Sequence, residues 1–206
     1  MIIYILMYSD VFLPLSIMFI STTLSIYKTI DTIEDEIDYH PTTLDKYKYR
    51  KILWYFSHFT FSNSIFLLTY FTLKSIDYNI NTLFVVIAPI SMSININYFL
   101  ILYPQRNIKL YELPYYSFVQ HFMTTIIILN ELKYIEYKYF YDIFKYNYFI
   151  LYGISITFVN YYIRDIWTYG IINLYSHKGW KLILQFNVVS LISSVSLYLI
   201  KYNFIN

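Results

Sequence analysis

Residues 83–102 read LFVVIAPISMSININYFLIL, twenty consecutive positions without a charged side chain. A helix of that length rises about 30 Å, the thickness of the hydrocarbon core of a bilayer. The run stops at Tyr103-Pro104, and the residue before a proline avoids the α region. Similar apolar stretches lie on both sides of it, at residues 2–27 and 52–73 before and at 116–129, 148–163 and 182–200 after. Lipid cannot satisfy free backbone groups, so a spanning segment is a helix or part of a closed barrel. A barrel needs repeated alternating segments of about ten residues, and the sequence has none. The expected fold is therefore all-α, a polytopic membrane bundle of about six transmembrane helices forming one domain over residues 1–206.

Composition agrees. Of 206 residues, 58% are hydrophobic and only 14% charged, against roughly a quarter charged in soluble domains. The 27 tyrosines and 17 phenylalanines suit membrane interfaces, although A/T-rich codons supply the same residues. The N-terminus lacks a basic region and carries Asp10 and Pro14, so it reads as a retained first span and not as a signal peptide. The most polar segment, residues 28–51, contains Asp31, Glu34, Asp35, Glu36 and Asp38 and reads as a solvated loop. The loops after the odd spans hold ten Lys and Arg against five on the other side, which places the odd loops in the cytosol.

Much soluble chemistry is excluded. The net charge of +2 gives no nucleic-acid footprint. There is no cysteine for a thiolate or a disulfide. Glycine-rich phosphate loops, G-x-S-x-G and H-E-x-x-H are missing. His40, His58, His121 and His177 are scattered without a ligand partner at i+4, so no metal and no cofactor is expected. Voltage-sensor arginines and transporter-type helix breaks are missing too.

The polar residues inside the spans carry what chemistry remains. In the second span Thr60, Asn63 and Ser64 share a helical face; in the fourth, His121, Thr124 and Thr125 do. The second and fourth spans run in the same direction. Thr60 lies about eight residues, or 12 Å, into its helix and His121 five to seven residues into its own. A hydroxyl and an imidazole at similar depth are the parts of a nucleophile–base pair. Asn63, one turn from Thr60, is the candidate oxyanion donor. The bland alternative has Thr60 bonded to its own helix and His121 bridging two helices. Glu131 and Asp165 read as interfacial, and Asn160 and Asn187 as interhelical hydrogen-bonding groups.

Four stretches resemble one family. Thr60-Phe61-Ser62-Asn63 is similar to a Leu-Thr-Phe-Trp-Asn type stretch at the start of the second helix. Tyr103-Pro104 follows the third span. Leu113-Pro114, His121 and Glu131 resemble a histidine-bearing segment, and Ile166-Trp167-Thr168-Tyr169-Gly170 a Trp-x-Tyr-Pro stretch after the fifth. Together they resemble the androgen-induced-protein-1-like membrane proteins, also called the FAR-17a-like family. The chain departs from that pattern at Phe118, where a second histidine is common, in the Pro114-to-His121 spacing, one residue shorter, and at Gly170, where proline is usual. The resemblance implies a six-helix hydrolase of fatty acid esters of hydroxy fatty acids in the endoplasmic reticulum. Thr60 would be its nucleophile and His121 its base, and its partners membrane lipids and a long-chain ester. The alternative is a non-catalytic multipass protein that binds a lipid or a partner protein.

Overall fold

A computed structural model describes residues 2–32, 56, 58–76, 78, 80–102, 114–164, 167 and 173–205. Among the described residues the regular structure is helical throughout. Helix α1 is Ile2–Thr32, α2 is Phe59–Ser75, and α3 is Asn81–Asn97, continued by a π-helical turn Tyr98–Leu102. Helix α4 runs without a break from 115 to 131 in three pieces: Tyr115–Phe118, a π-helical turn Val119–Met123, and Thr124–Glu131. Two 3-10 turns, Leu132–Tyr134 and Phe140–Phe144, lead to α5 (Asn147–Arg164). Helix α6 is His177–Ile200 and ends in a π-helical turn, Lys201–Ile205.

The six helices fall on the six apolar runs, with different ends. Helix α2 starts at Phe59, because His58 is an extended N-cap residue with φ −83° and ψ 129°. Residues 51–55, where the second span was expected to begin, lie outside the described residues. So do the acidic loop from 33 onward, His40, Tyr103-Pro104, Leu113, Asp165 and most of the stretch around Trp167. Helix α6 begins five residues earlier than expected, since the Ser176 hydroxyl accepts from the Gly179 N–H at 3.2 Å and caps it.

Two described helical segments, Asn81–Leu100 and His177–Ile205, are long and apolar enough to cross a membrane, and Val11–Tyr27 is a shorter apolar helix. The described helices of the other three expected spans, two of them 17 residues long, fall short of that measure, and each carries a set of polar residues. Those residues point inward: Ser62, Asn63 and Ser64 on α2, Gln120, His121 and Thr124 on α4, Thr157 and Asn160 on α5 are all buried.

Helix α3 is the central element, packed against α2, α4 and α6, while α1 lies against α2 and the start of α4. Leu67 and Phe71 of α2, Phe84, Ile87 and Ile90 of α3, and Ile128 of α4 have no exposed surface. Hydrogen bonds between elements supplement that packing. The Ser21 hydroxyl donates to the Tyr116 carbonyl at 3.3 Å, and Ser194 to that of Ile143 at 2.6 Å. Asn187 donates to Asn147 at 3.0 Å and accepts from Tyr146 at 3.3 Å, the interhelical role expected of it.

The sequence has no GxxxG pattern, yet one glycine does set a close approach. A Cβ on Gly153 would stand 1.9 Å from Cε1 of Phe59. The Phe59 ring therefore lies against the backbone of α5, with the Phe186 ring 5.0 Å and the Phe149 ring 6.2 Å away. On the outer side of the same seam, an apolar groove of about 470 Å³ runs between α5 and α6, from Asn147 and Asn187 to Ile154 and Trp180.

Candidate functional site

One stripe of α3 organises the polar interior. Phe84, Ser91, Asn95 and Tyr98 recur at intervals of seven, four and three residues, which places them on one helical face. The first two meet α2: the Tyr70 ring lies 5.2 Å from Phe84, and Asn63 Nδ2 donates to Ser91 Oγ at 2.7 Å. The last two meet α4. Asn95 contacts the Thr124 and Thr125 hydroxyls at 2.9 and 2.5 Å, and the Tyr98 ring stacks on His121 at 3.6 Å and 6°. Helices α2 and α4 are thus both antiparallel to α3 and parallel to each other.

His121 stands on the π-helical turn of α4. There the Thr124 N–H bonds to the Val119 carbonyl, five residues back. Such a turn frees carbonyl groups from the ordinary ladder. Asn95 takes them up: with its nitrogen toward α4 it donates to the Gln120 and His121 carbonyls at 3.1 and 3.2 Å, while its oxygen accepts from the two threonines. That orientation satisfies every group, whereas the reverse sets donor against donor. The turn lies against α1, α2 and α3, which is why Val119, Gln120 and His121 are buried in succession.

Thr60 is the second residue of α2 and is half-buried. It is therefore not eight residues inside its described helix, as the apolar run implied. Its carbonyl accepts from the Ser64 hydroxyl at 3.0 Å. Between Thr60 and His121 the structure fixes relative height. Tyr70 donates to Glu131 at 2.6 Å; Thr60 precedes the one by ten residues and His121 the other by ten, so by this pair they stand level. The α3 contacts give a second measure. Asn63 reaches Ser91 and Thr124 reaches Asn95, four residues or about 6 Å further along. Thr60 and His121 each lie three residues before those contacts, so their offset falls between zero and about one helical turn.

Glu131 is the last residue of α4. Only 1% of it is exposed, and it holds both the Tyr70 hydroxyl and an ion pair with Lys74. This buried carboxylate closes the α2–α4 seam at the end away from Thr60. Asn63, the expected oxyanion donor, is buried in the junction with its amide engaged by Ser91. His58 is buried at the N-cap beside Phe61, with ring centroids 5.3 Å apart. Among the described residues no group of His, Asp and Glu is placed to hold a metal ion.

Three participants escaped the sequence reading: Ser91, Asn95 and Tyr98. Their common face in the 83–102 run was the available signal. Gln120 was overlooked beside the more obvious histidine.

Set against protein-family models, curated proteins and solved structures, the chain matches none of them. The likeness to the androgen-induced-protein-1-like family rests on the motif residues alone.

Proposed function

We propose that the chain is a polytopic membrane bundle of six spans that hydrolyses long-chain lipid esters with Thr60 as nucleophile and His121 as base. The bundle reading is supported by the distribution of side chains, with polar groups inside and large apolar groups such as Leu13, Phe19, Leu151, Val159 and Leu184 outside. Helices α2 and α5 have 17 and 18 residues, at the short end of the roughly 17–25 that cross a bilayer.

The observation that supports the hydrolase reading is that Thr60, half-buried at the start of α2, and His121, buried on α4, stand toward the same end of these two parallel helices, within about a helical turn in height. A substrate ester reaches this end from the membrane. His121 takes the Thr60 proton, Thr60 attacks the carbonyl carbon, and water later releases the acyl group. The two side chains close to hydrogen-bond distance in the substrate complex, as catalytic pairs in unliganded sites commonly do. The α4 helix holds the imidazole, and the Asn95 bridge to its π-helical turn sets its place. By the same family likeness, the location proposed is the endoplasmic reticulum.

A second reading has specific support. The His121 ring lies flat on Tyr98, the arrangement of a histidine that packs two helices together, and a non-catalytic lipid-binding or scaffold protein needs nothing more. A fluorophosphonate probe on detergent-purified protein separates the two. Labelling lost in Thr60→Ala and His121→Ala supports the hydrolase, and equal labelling of all three forms rejects it.

A further inference from the structure

On the π-helical turn of α4 stands a buried amide nitrogen with nothing to bind. Gln120 is 3% exposed, and its Nε2 has no hydrogen-bond partner among the described residues. An amide left in that state is destabilising, and a buried amide is normally satisfied by protein, water or ligand. Gln120 immediately precedes His121 on the π-helical turn, and that turn packs against α2.

Asn63 is the poorer donor. The Ser91 hydroxyl has one proton and gives it to the Ile87 carbonyl at 3.1 Å. Ser91 can therefore only accept from Asn63, which fixes the amide with its nitrogen toward Ser91 at 2.7 Å. One of its two N–H groups is thereby spent, and its Oδ1 is buried without a partner among the described residues. An acceptor repels an oxyanion, whereas Gln120 offers two N–H groups whichever way its amide is turned.

We propose that the Gln120 side-chain amide donates a hydrogen bond to the carbonyl oxygen of a long-chain lipid ester bound in the α2–α3–α4 junction. This deepens the hydrolase reading and rests on it for the chemical step. When Thr60 Oγ1 bonds to the carbonyl carbon, the C=O electron pair moves to the oxygen, and Gln120 stabilises the charge. The proton held by His121 then goes to the departing alkoxide as its C–O bond breaks. Water hydrolyses the acyl-threonine in the second half. Asn63 Oδ1 is left as an acceptor for a hydroxyl on the substrate or for that water.

The test uses the full chain in detergent, with Gln120→Met as the variant of matching volume and Thr60→Ala as the chemical control. On a long-chain p-nitrophenyl ester, Gln120→Met lowers kcat by about 10²–10³-fold and moves KM by less than threefold. Its melting temperature is unchanged or raised, since an unsatisfied buried amide has gone. A long-chain dialkyl ketone, which offers the carbonyl without a leaving group, raises the melting temperature of the wild type and Thr60→Ala but not of Gln120→Met. A ketone shift that persists in Gln120→Met, or is missing from the wild type, overturns the proposal. So does a kcat within threefold of wild type in Gln120→Met. A wild type that shows the ketone shift yet hydrolyses no ester sinks the hydrolase reading and leaves the Gln120–carbonyl contact standing. Should Gln120→Met fail to fold, Gln120→Asn, which withdraws the amide by one methylene, takes its place with the same readouts.

Discussion

Replacing Tyr70 by Phe removes one hydroxyl, 2.6 Å from Glu131, and nothing else of shape. A hydrogen bond to a charged group is worth about 1.5–3 kcal/mol. Glu131 keeps Lys74 in the variant, so no unpaired buried charge is created. At about 2–4 °C per kcal/mol for a chain of this size, Tyr70→Phe lowers the melting temperature by about 3–12 °C. Glu131→Ala takes away the acceptor. Breaking a buried ion pair costs about 3–5 kcal/mol where the remaining charge is trapped, but Lys74 is 23% exposed and can turn outward. The loss is then set by the stranded Tyr70 hydroxyl and comes to about 2–3 kcal/mol. The double variant is no worse than Glu131→Ala alone, because both changes remove the same bond. A thermal melt of the four forms in detergent, followed by intrinsic fluorescence, gives the coupling. Ester turnover adds a second readout: the bond fixes α2 against α4 ten residues from Thr60 and His121, and a 1 Å misplacement of reacting groups can cost about 10²-fold. Additive losses in the cycle would refute the shared bond and with it one of the two measures that set Thr60 and His121 at related heights.

Gly153→Ala drives a methyl into the Phe59 ring and lowers stability by about 1–3 kcal/mol; adding Phe59→Leu recovers part of that in the same melt, and no loss in the single variant would remove the close approach. The acid limb of stability depends on Asp142, outside the apolar helices. Burial pushes its carboxyl up, but the Lys145 ammonium at 2.8 Å and the Tyr139 N–H at 3.1 Å outweigh burial and hold it below the ordinary carboxylate range. A lowered folded-state value gives stability that is full above about 3.9, the unperturbed value, and lost as pH falls through the lower one. Melting temperature against pH therefore drops at the acid end in the wild type, and Asp142→Asn flattens that limb.

The helices were legible because an uncharged run of twenty residues admits few alternatives, and their order followed from the runs alone. Their ends were less so. Nothing in the hydropathy of the 52–73 run announces that α2 starts at Phe59, after the extended residue His58. Helix α6 was the reverse case, where Ser176, three residues before Gly179, is a readable cap that the hydropathy pattern overrode. In the candidate site, periodicity correctly grouped Asn63 with Ser64 and His121 with Thr124. It missed the π-helical turn, because one extra residue per turn leaves no mark in composition. That turn carries Gln120 and His121, both buried. The burial of Glu131 was illegible for a different reason: a carboxylate at a helix end is normally exposed, and only the tertiary partners Tyr70 and Lys74 show why this one is not.

The short helices bear on the six-span proposal through the face each one shows to its surroundings. A hydropathy window averages all sides of a helix, whereas lipid meets only the outer one. On α4 the outer side carries Tyr115, Phe122, Ile126 and Leu129, with Asn130 next to its end, while Gln120, His121 and Thr124 are buried. On α5 the outer side carries Tyr148, Leu151, Val159 and Tyr162, with one hydroxyl, Ser155, among them and Thr157 and Asn160 inside. Helix α2 does expose hydroxyls, but Thr69 and Thr72 bond back to the Ile65 and Leu68 carbonyls at 2.9 and 2.8 Å, which satisfies a hydroxyl where no water is present. The charged residues of these three helices, Lys74, Glu131 and Arg164, stand in the last two positions or at the end of each. A water-soluble helix of the same composition would turn these faces round, because burying amides and an imidazole while exposing leucine gains nothing in water. In lipid the arrangement is favourable on both counts. Asn63, Asn95 and Thr124 find partners inside, in the part of the interior where α2, α3 and α4 meet.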